Sequence, residues 1–302
     1  MMKSDSRVSD SVSSALLIYN GRSGGFNRRF LQRFEGYISK AGCHLEVVDI
    51  ADIPSDFSGF DRVAVAGGDG TVNTVAHRLK NLGIPLLTLP LGTGNLIAQN
   101  LGIPKSASKL AHIFLEGTPR KYDLALLTAG DIQTGFTMMA GAGLDADVIR
   151  DSEPLKANFG VGAYILGLLK QLSPREVQFQ LTLDGQTQIS TQGMGILIAN
   201  FGLANFQLPI VTGISAQDGF LDVIVMKGKT PLSLIPHLMD SIRGKLGFGD
   251  PIFEDRLEIF ACKRLILETE PILPIQYDGE LLEAETPMEA CVLPKAIPFL
   301  VP

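Results

Sequence analysis

The sequence predicts an α/β protein of two domains, a doubly wound α/β domain followed by a mainly antiparallel β-sandwich. Short apolar runs alternate with helical patterns over residues 14–129, which is typical of a parallel sheet covered by helices. Beyond residue 130, apolar and polar residues alternate and Asp-Gly turns appear, which favours antiparallel strands. The length of 302 residues also exceeds what a single core usually supports.

The first half repeats a strand, loop and helix pattern. Residues 15–20 (ALLIYN) form an apolar run that ends in a Gly/Ser loop. The helix that follows is marked by Phe26, Phe30, Phe34 and Ile38. Further strand-like runs are HLEVVDI at 44–50, RVAVA at 62–66 and IPLLTLP at 84–90. A second helix carries Val72, Val75, Ala76 and Leu79, and Gly83 stops it. A short helix is expected from about Asn95, and ligands are expected at the carboxyl ends of the strands.

The second half has a different pattern of apolar residues. Apolar residues alternate strictly at Val177, Phe179, Leu181 and Leu183. They run into an Asp184-Gly185 turn, which predicts a hairpin. Further strand-like segments are 193–201, 219–227 and 258–268, and helical patterns lie near 155–172 and 231–246. These patterns predict a β-sandwich over residues 130–293.

Composition limits the partners and the compartment. The net charge is -6, and the basic residues are scattered, which argues against nucleic acid as a partner. The three cysteines, Cys43, Cys262 and Cys291, are far apart and indicate neither disulfides nor a zinc site. Residues 1–13 read as a polar tail without the apolar core of a signal peptide. We therefore expect a cytoplasmic protein with no membrane-spanning segment.

The strongest motif is the loop Gly67-Gly68-Asp69-Gly70-Thr71, between a buried strand and a helix. Its glycines let backbone N–H groups approach a bound group, and the helix N-terminus favours an anion. A phosphate fits there, and Asp69 is compatible with it if a hydrated Mg²⁺ lies between carboxylate and phosphate. The alternative is a plain tight turn with Thr71 as helix N-cap.

Two more loops follow predicted strands. They are Gly92-Thr93-Gly94-Asn95 and Asn20-Gly21-Arg22-Ser23-Gly24. Loops at adjacent strand ends are able to hold one polyphosphate together. Taken alone, the loop at Asn20 to Gly24 resembles an ordinary turn. The P-loop pattern GxxxxGK[ST] is absent from the sequence.

Three other patterns are ambiguous. Residues Gly141 to Ala146 (GAGLDA) resemble a dinucleotide fingerprint, but no acidic residue lies at the ribose-binding distance of about 20 residues downstream. Asp278-Gly279-Glu280 and Asp218-Gly219 are either hairpin turns or functional carboxylates.

Taken together, the motifs resemble the diacylglycerol kinase catalytic-domain family, which includes bacterial lipid kinases, sphingosine kinases and ceramide kinases. The motifs are GGDGT at 67–71, GTGN at 92–95, GxGxDA at 141–146, DG at 218–219, DGE at 278–280 and the closing VLPKAIPFLVP. Their order matches over nearly the whole chain from about residue 14.

The resemblance implies an ATP- and Mg²⁺-dependent kinase that phosphorylates a lipid or lipid-like alcohol, with its active site in a cleft between two domains. It implies a nucleotide domain over 14–129, to which residues 294–302 return, and a lipid domain over 130–293. The loops and the resemblance together give the expected ATP contacts: Asn20, Gly21, Arg22, Ser23, Gly24, Gly67, Gly68, Asp69, Gly70, Thr71, Val72, Asn73, Gly92, Thr93, Gly94 and Asn95.

By the same resemblance, Glu280 is the expected general base, and Asp145 is expected in the lipid-facing part of the cleft. A structural Mg²⁺ is expected at the Asp218 carboxylate and the backbone carbonyls of Ser215 and Phe220. The segment containing Phe159, Tyr164, Ile165, Leu168 and Leu169 either lines a lipid pocket or packs in the core.

The chain departs from the family pattern at two positions, with Gly21 in place of a frequent Pro and Leu96 in place of a frequent Asp. Without a basic patch, membrane contact should be weak and transient. The sequence leaves open whether the protein forms a homodimer. Two other functions also stay open: an NAD kinase-like enzyme with a soluble acceptor, and a nucleotide-binding regulator without catalysis.

Overall fold

The structure is a computed structural model, and it describes residues 12–143, 176–202, 214–227 and 257–302. The helical patterns predicted near 155–172 and 231–246 lie outside the described residues, as does Asp145. Across the described ranges, no helix is long and apolar enough to span a membrane.

The first lobe is built on parallel strands covered by helices. In chain order its elements are β1 (Ser14–Tyr19), α1 (Arg28–Lys40), β2 (His44–Asp49), a 3-10 turn (Ile50–Asp52), β3 (Arg62–Gly67), α2 (Asp69–Arg78), β4 (Leu86–Pro90), α3 (Leu96–Asn100) and α4 (Ala107–Glu116). The strands lie in the order β2-β1-β3-β4 and are all parallel. Because β1, β3 and β4 are covered on both faces, their sequences are almost continuously apolar.

Helix α1 is capped by Asn27 and begins at Arg28. The side chain of Asn27 accepts a hydrogen bond from the Phe30 N–H, so Phe26 lies before the helix. The buried face carries Leu31, Phe34 and Ile38, and Phe34 meets Phe114 of α4 edge-on at 5.7 Å between ring centroids. The helical spacing of the sequence therefore predicted Phe34 and Ile38 of the buried face, missed Leu31, and placed Phe26 in a helix that starts after it.

The second lobe consists of antiparallel strands. They are β5 (Pro119–Ala129), β6 (Ile132–Phe136), β7 (Met139–Ala142), β8 (Val177–Leu183), β9 (Thr187–Gly193), β10 (Gly195–Ala199), β11 (Leu221–Met226), β12 (Leu257–Cys262), β13 (Arg264–Glu270), β14 (Pro274–Tyr277), β15 (Glu280–Glu285) and β16 (Met288–Leu300). Six of them form one sheet in the order β12-β11-β10-β7-β14-β15. The hairpin predicted at Asp184-Gly185 joins β8 and β9. The predicted fold class, α/β followed by an antiparallel β domain, is confirmed.

The resemblance implied that residues 294–302 return to the first domain, but the sequence did not predict that strand β16 joins the two lobes in one sheet. The first half of β16 pairs with β13, β5 pairs with both halves, and near the end Phe299 pairs in parallel with Leu86 of β4. The parallel sheet therefore continues into one layer of the second lobe and forms a single sheet of ten strands. Ile297, Phe299 and Leu300 are buried in the core of the first lobe.

A buried carboxylate fastens this junction. Asp123 of β5 is 0% exposed, and it accepts hydrogen bonds from the Lys295 N–H at 2.6 Å and the Gly219 N–H at 2.8 Å. The carboxylate thus ties β5 to the bend in β16 and to the turn before β11. Two backbone N–H groups depend on it.

Replacing Asp123 with Ala should lower the free energy of unfolding by about 2–4 kcal/mol, because it leaves both N–H groups without an acceptor. Urea unfolding measures the change. Asp131→Ala, at an exposed turn position, is the matched control and should stay within about 0.5 kcal/mol of wild type. Equal stability of the Asp123 and Asp131 variants would contradict the assigned role.

Candidate active site

Three glycine-containing loops meet at the carboxyl ends of β1, β3 and β4. The first loop is Asn20–Gly24, the second is Gly67–Thr71 and the third is Gly92–Asn95. Together they line a cavity of about 390 Å³. The lining residues are Asn20, Ser23, Gly24, Ile50, Gly68, Gly70, Thr71, Thr74, Gly92, Thr93 and Glu280. The structure therefore brings residues from all three predicted loops to one cavity, and it adds Ile50, which sequence reasoning missed.

The loops touch so closely that only glycine fits at the contacts. A Cβ on Gly92 would lie 2.2 Å from the Gly68 Cα, and a Cβ on Gly24 would lie 2.7 Å from the Thr93 Oγ1. Backbone therefore packs directly on backbone between the second and third loops. This contact leaves the backbone of both loops at the cavity wall.

Side-chain hydrogen bonds brace the loops. The Asn20 amide donates to the Thr71 Oγ1 at 3.0 Å, which links the first loop to the second. Asn95 has a left-handed φ of 53°, and its side chain both accepts from the Gly92 N–H at 2.7 Å and donates to the Gly92 carbonyl at 2.8 Å. Asn95 therefore holds the third loop closed, and its side chain is used within the loop.

Helix α2 starts at the second loop with Gly68 as its N-cap, so the alternative with Thr71 as N-cap is wrong. Gly68 supplies no side-chain cap, which leaves the first N–H groups of a ten-residue helix without a side-chain acceptor. A bound anion is able to take that place.

Asp69 links two loops. Its Oδ1 accepts a hydrogen bond from the Ile97 N–H at 2.9 Å, at the start of α3. Burial raises the pKa of the Asp69 carboxyl, while N–H groups of residues around the α3 start lower it. At least one carboxylate oxygen is thus used to cap α3.

Val72 and Asn73 have structural roles, of which the sequence predicted the one of Val72 on the apolar helix face and did not reveal the one of Asn73. The Val72 side chain is buried in the core. Asn73 donates to the Gly135 carbonyl at 2.9 Å and accepts from the Thr137 hydroxyl at 2.6 Å. Asn73 therefore connects α2 to the second lobe, and any nucleotide contact falls to the backbone of these two residues.

Glu280 enters the cavity from the second lobe, at the start of β15. Its Oε1 lies 3.4 Å from the position that a Cβ on Gly70 would take. Its Oε2 is 3.3 Å from the Tyr277 hydroxyl, which donates to it. The tertiary structure thus places this carboxylate directly against the GGDGT loop.

Asp278 fixes the turn that carries Glu280. Its carboxylate accepts hydrogen bonds from the N–H groups of Thr137, Met138 and Met139, at 2.8, 2.8 and 3.0 Å. Burial raises the pKa of Asp278 to about 6, although the three N–H donors act to lower it. The DG turn was visible in the sequence, but this buried anchor was not.

The expected metal residues lie elsewhere and do not line this cavity. Asp218 Oδ1 accepts from the Phe220 N–H at 2.9 Å in a local turn that also includes Ser215. Burial raises the pKa of nearby Asp222, and so does the charge of Asp218. Within the described residues, no three His, Cys, Asp or Glu side chains gather as a metal cluster.

The dinucleotide alternative at residues 141–146 is described only as far as Gly143, because residues 144–146 lie outside the described residues. Gly141 lies inside β7, paired with Leu197 on one side and Gln276 on the other. A Cβ there would lie 2.5 Å from the Ile196 carbonyl oxygen, so this glycine serves close strand packing. Of the remaining expected residues, Gly21, Arg22, Gly67 and Gly94 lie in the three loops without lining the cavity.

Each of the two lobes matches a known family model. Residues 14–127 match the family model described as diacylglycerol kinase catalytic domain, and residues 138–301 match the YegS C-terminal NAD kinase beta sandwich-like domain. A diacylglycerol kinase of Mycobacterium tuberculosis is 28% identical over 81% of this chain and 78% of its own length. A Synechocystis protein is 30% identical over 83% of this chain, which spans 57% of that protein.

Solved structures share the fold. A diacylglycerol kinase structure from Bacillus anthracis has a TM-score of 0.70 at 20% identity, covering 96% of this chain and 97% of that one. An Archaeoglobus fulgidus NAD kinase in complex with ATP has a TM-score of 0.53 at 13% identity, covering 95% and 93%. At these identities the likeness concerns the fold alone.

Two family models, one over each lobe, define a protein of the lipid-kinase-like class. The chain belongs to the diacylglycerol kinase catalytic-domain family, with a YegS-type C-terminal domain.

Replacing Gly92 with Ala should lower the free energy of unfolding by about 1–3 kcal/mol, because the new methyl group overlaps Gly68 and forces the loops apart. Urea unfolding measures the change. Gly36→Ala is the control, since no atom lies within 4 Å of its added Cβ. That change sits within helix α1 and should stabilise the protein by about 0.5–1 kcal/mol. Unchanged stability of the Gly92 variant would disprove the tight loop contact.

Replacing Asp278 with Asn should cost about 1–3 kcal/mol of unfolding free energy at pH 7, because the amide cannot accept all three N–H groups. The difference in unfolding free energy between wild type and the variant should widen by about 2 kcal/mol between pH 7 and pH 4, because wild type gains stability on acidification. The reason is that folded Asp278 takes up a proton near pH 6, whereas the unfolded chain does so only near its ordinary value of about 3.9.

Urea unfolding at several pH values measures this gap. Asp184→Asn serves as control, because Asp184 is an exposed turn residue that accepts hydrogen bonds from two N–H groups. A gap for Asp278→Asn that narrows on acidification would refute the raised pKa.

Proposed function

We propose that this protein is an ATP- and Mg²⁺-dependent kinase that transfers the terminal phosphate of ATP to a hydroxyl of diacylglycerol or a related lipid alcohol. One observation supports this most directly: Glu280 of the second lobe lines the same cavity as the three glycine loops. A phosphate donor and a proton acceptor are thereby brought within one site, as phosphoryl transfer requires.

The cavity suits a polyphosphate. The uncapped N–H groups of α2 and the exposed loop backbone offer donors, and the helix dipole favours an anion at the same point. The glycines at the loop contacts keep side chains out of that space. Asn20, Ser23, Thr93 and Ile50 complete the wall, and we assign them to the nucleoside and its phosphates.

The residues also fit Mg²⁺. Glu280 is the sole charged residue among those that line the described part of the cavity, and it is an anion, so nothing there offsets the charge of a triphosphate. Asp69 of the GGDGT loop would supply a carboxylate oxygen, which is the kind of ligand that Mg²⁺ prefers together with substrate phosphates. When bound, the ion supplies positive charge next to the transferred group.

A second cation is proposed at Asp218, with the backbone carbonyls of Ser215 and Phe220. Burial raises the pKa of Asp222 and the charge of Asp218 raises it further, so a divalent cation there would offset two neighbouring negative charges. Its role would be structural, because these residues lie outside the cavity.

In the proposed reaction, Glu280 accepts the proton of the acceptor hydroxyl as that oxygen attacks the γ-phosphorus. A new oxygen–phosphorus bond forms, the bond from the γ-phosphorus to the bridging oxygen breaks, and ADP leaves. N–H groups of the glycine loops stabilise charge on the transferred phosphoryl group. Tyr277 orients the Glu280 carboxylate through their hydrogen bond.

The acceptor assignment rests on the family, whose named members include diacylglycerol kinase. With that acceptor, we further propose a role in phospholipid biosynthesis, in the cytoplasm, with transient contact to a membrane surface. An NAD kinase-like reaction is the second candidate, because an ATP-bound NAD kinase shares the fold over 95% of this chain. Retention of both Asp69 and Glu280 argues against a regulator without catalysis.

The direct experiment incubates the protein with labelled ATP, Mg²⁺ and separate acceptors: diacylglycerol, a sphingoid base, ceramide, total lipid extract and NAD. Label should appear in a lipid product and should require Mg²⁺. Label in NAD alone would establish the second candidate, and no labelled product with any acceptor would disprove the kinase function.

Replacing Glu280 with Gln should lower kcat by roughly 10²- to 10⁴-fold, because the base is lost. Affinity for ATP should change little. Steady-state kinetics and calorimetric titration measure the two quantities. Glu283→Gln, on the exposed part of the same strand β15, is the control and should keep wild-type kcat. Near-full turnover of the Glu280 variant would exclude its role as base.

A further inference from the structure

A second cavity of about 360 Å³ adjoins the first. Gly70, Thr74 and Glu280 line both cavities, so the two share a boundary at the end of the GGDGT loop. The second cavity then follows helix α2 away from the nucleotide loops. Its other wall includes Thr134 and Tyr277 from the second lobe.

One face of α2 forms the floor of this groove. The helix contributes Gly70, Asn73, Thr74, His77 and Arg78, which follow the i, i+3, i+4, i+7, i+8 spacing of a single helical face. At 1.5 Å per residue, the eight steps from Gly70 to Arg78 span about 12 Å. The groove is therefore long enough for a polar head group, with Glu280 at one end and Arg78 at the other.

The described side chains that line the groove are polar, and its charges are separated. Burial lowers the pKa of His77 to about 4, so this ring is neutral at physiological pH. Arg78 is thus the one cation among the described residues that line the groove. Its exposed guanidinium has no hydrogen-bond or ion-pair partner among the described residues. The Asp278 carboxylate is occupied by its three N–H donors.

We propose that this groove binds the polar head of the acceptor alcohol and that Arg78 selects an alcohol that also carries an anionic group, such as a phosphate. The reactive hydroxyl then lies at Glu280, next to the nucleotide cavity, and the anion pairs with the guanidinium. A guanidinium binds phosphate and carboxylate through paired N–H donors. The described residues that line the groove include no aliphatic side chain, so the hydrocarbon part of the acceptor would lie outside it. This inference rests on the proposed kinase function and adds the class of acceptor.

The test compares two acceptors of equal acyl chain, 1-acylglycerol 3-phosphate and 1-acylglycerol, which differ by the phosphate. In the Arg78→Gln variant, KM for the phosphate-bearing acceptor should rise roughly 10- to 100-fold, because one charge-assisted interaction is lost. KM for the neutral acceptor and KM for ATP should stay within about 3-fold of wild type, and Arg78→Lys should recover part of the loss.

Arg33→Gln is the matched control, because Arg33 is an exposed arginine on the outer face of α1. It reports any general effect of charge on the binding of anionic lipid. An equal rise in KM for both acceptors, or an effect confined to ATP, would overturn the proposal while leaving the kinase function intact.

Binding measurements keep the proposal testable if neither acceptor is phosphorylated. Equilibrium titration of the protein with 1-acylglycerol 3-phosphate below its micellar concentration should then show weaker binding to Arg78→Gln than to wild type and Arg33→Gln. Equal binding by all three proteins would reject the groove assignment. Absence of phosphotransfer to every lipid acceptor tested would count against the proposed function instead.

Discussion

The close approach of Gly68 and Gly92 is the contact on which the rest of the site depends. A single Cβ at Gly92 would overlap the Gly68 backbone, so two strand-end loops are able to pack without side chains between them. The first loop joins them through Asn20 and Thr71. Three loops that are separate in sequence thereby become one wall, and the N-terminus of α2 faces the space that the wall encloses.

The second requirement is that the other lobe keep its carboxylate at that wall. Two sets of hydrogen bonds achieve this. Asn73 binds Gly135 and Thr137, and Asp278 binds the N–H groups that begin at Thr137. Helix α2, the β6–β7 connection and the turn before Glu280 are therefore linked through one short segment. The position of Glu280 relative to the glycine loops follows from those links.

The ten-stranded sheet also connects the two lobes directly. Strand β16 belongs to the antiparallel layer at Ala290 and to the parallel sheet at Phe299, with the bend between them held by Asp123. A junction of this kind transmits strand geometry directly from one lobe to the other. The cleft is consequently defined by backbone pairing as well as by side-chain contacts.

The sequence by itself determined the class of fold, the loop positions and the family. Hydrophobic periodicity reports which residues face a core, and glycine-rich strand ends report where the backbone must come close to something. Glu280 and the three loops could be named for these reasons and by resemblance. Only the tertiary structure decided what they touch: the Asp69 oxygen on α3, the Asn73 amide between lobes and the Asp278 anchor beneath Glu280. Such contacts join residues up to 141 positions apart, and a local pattern carries no information about a partner at that separation.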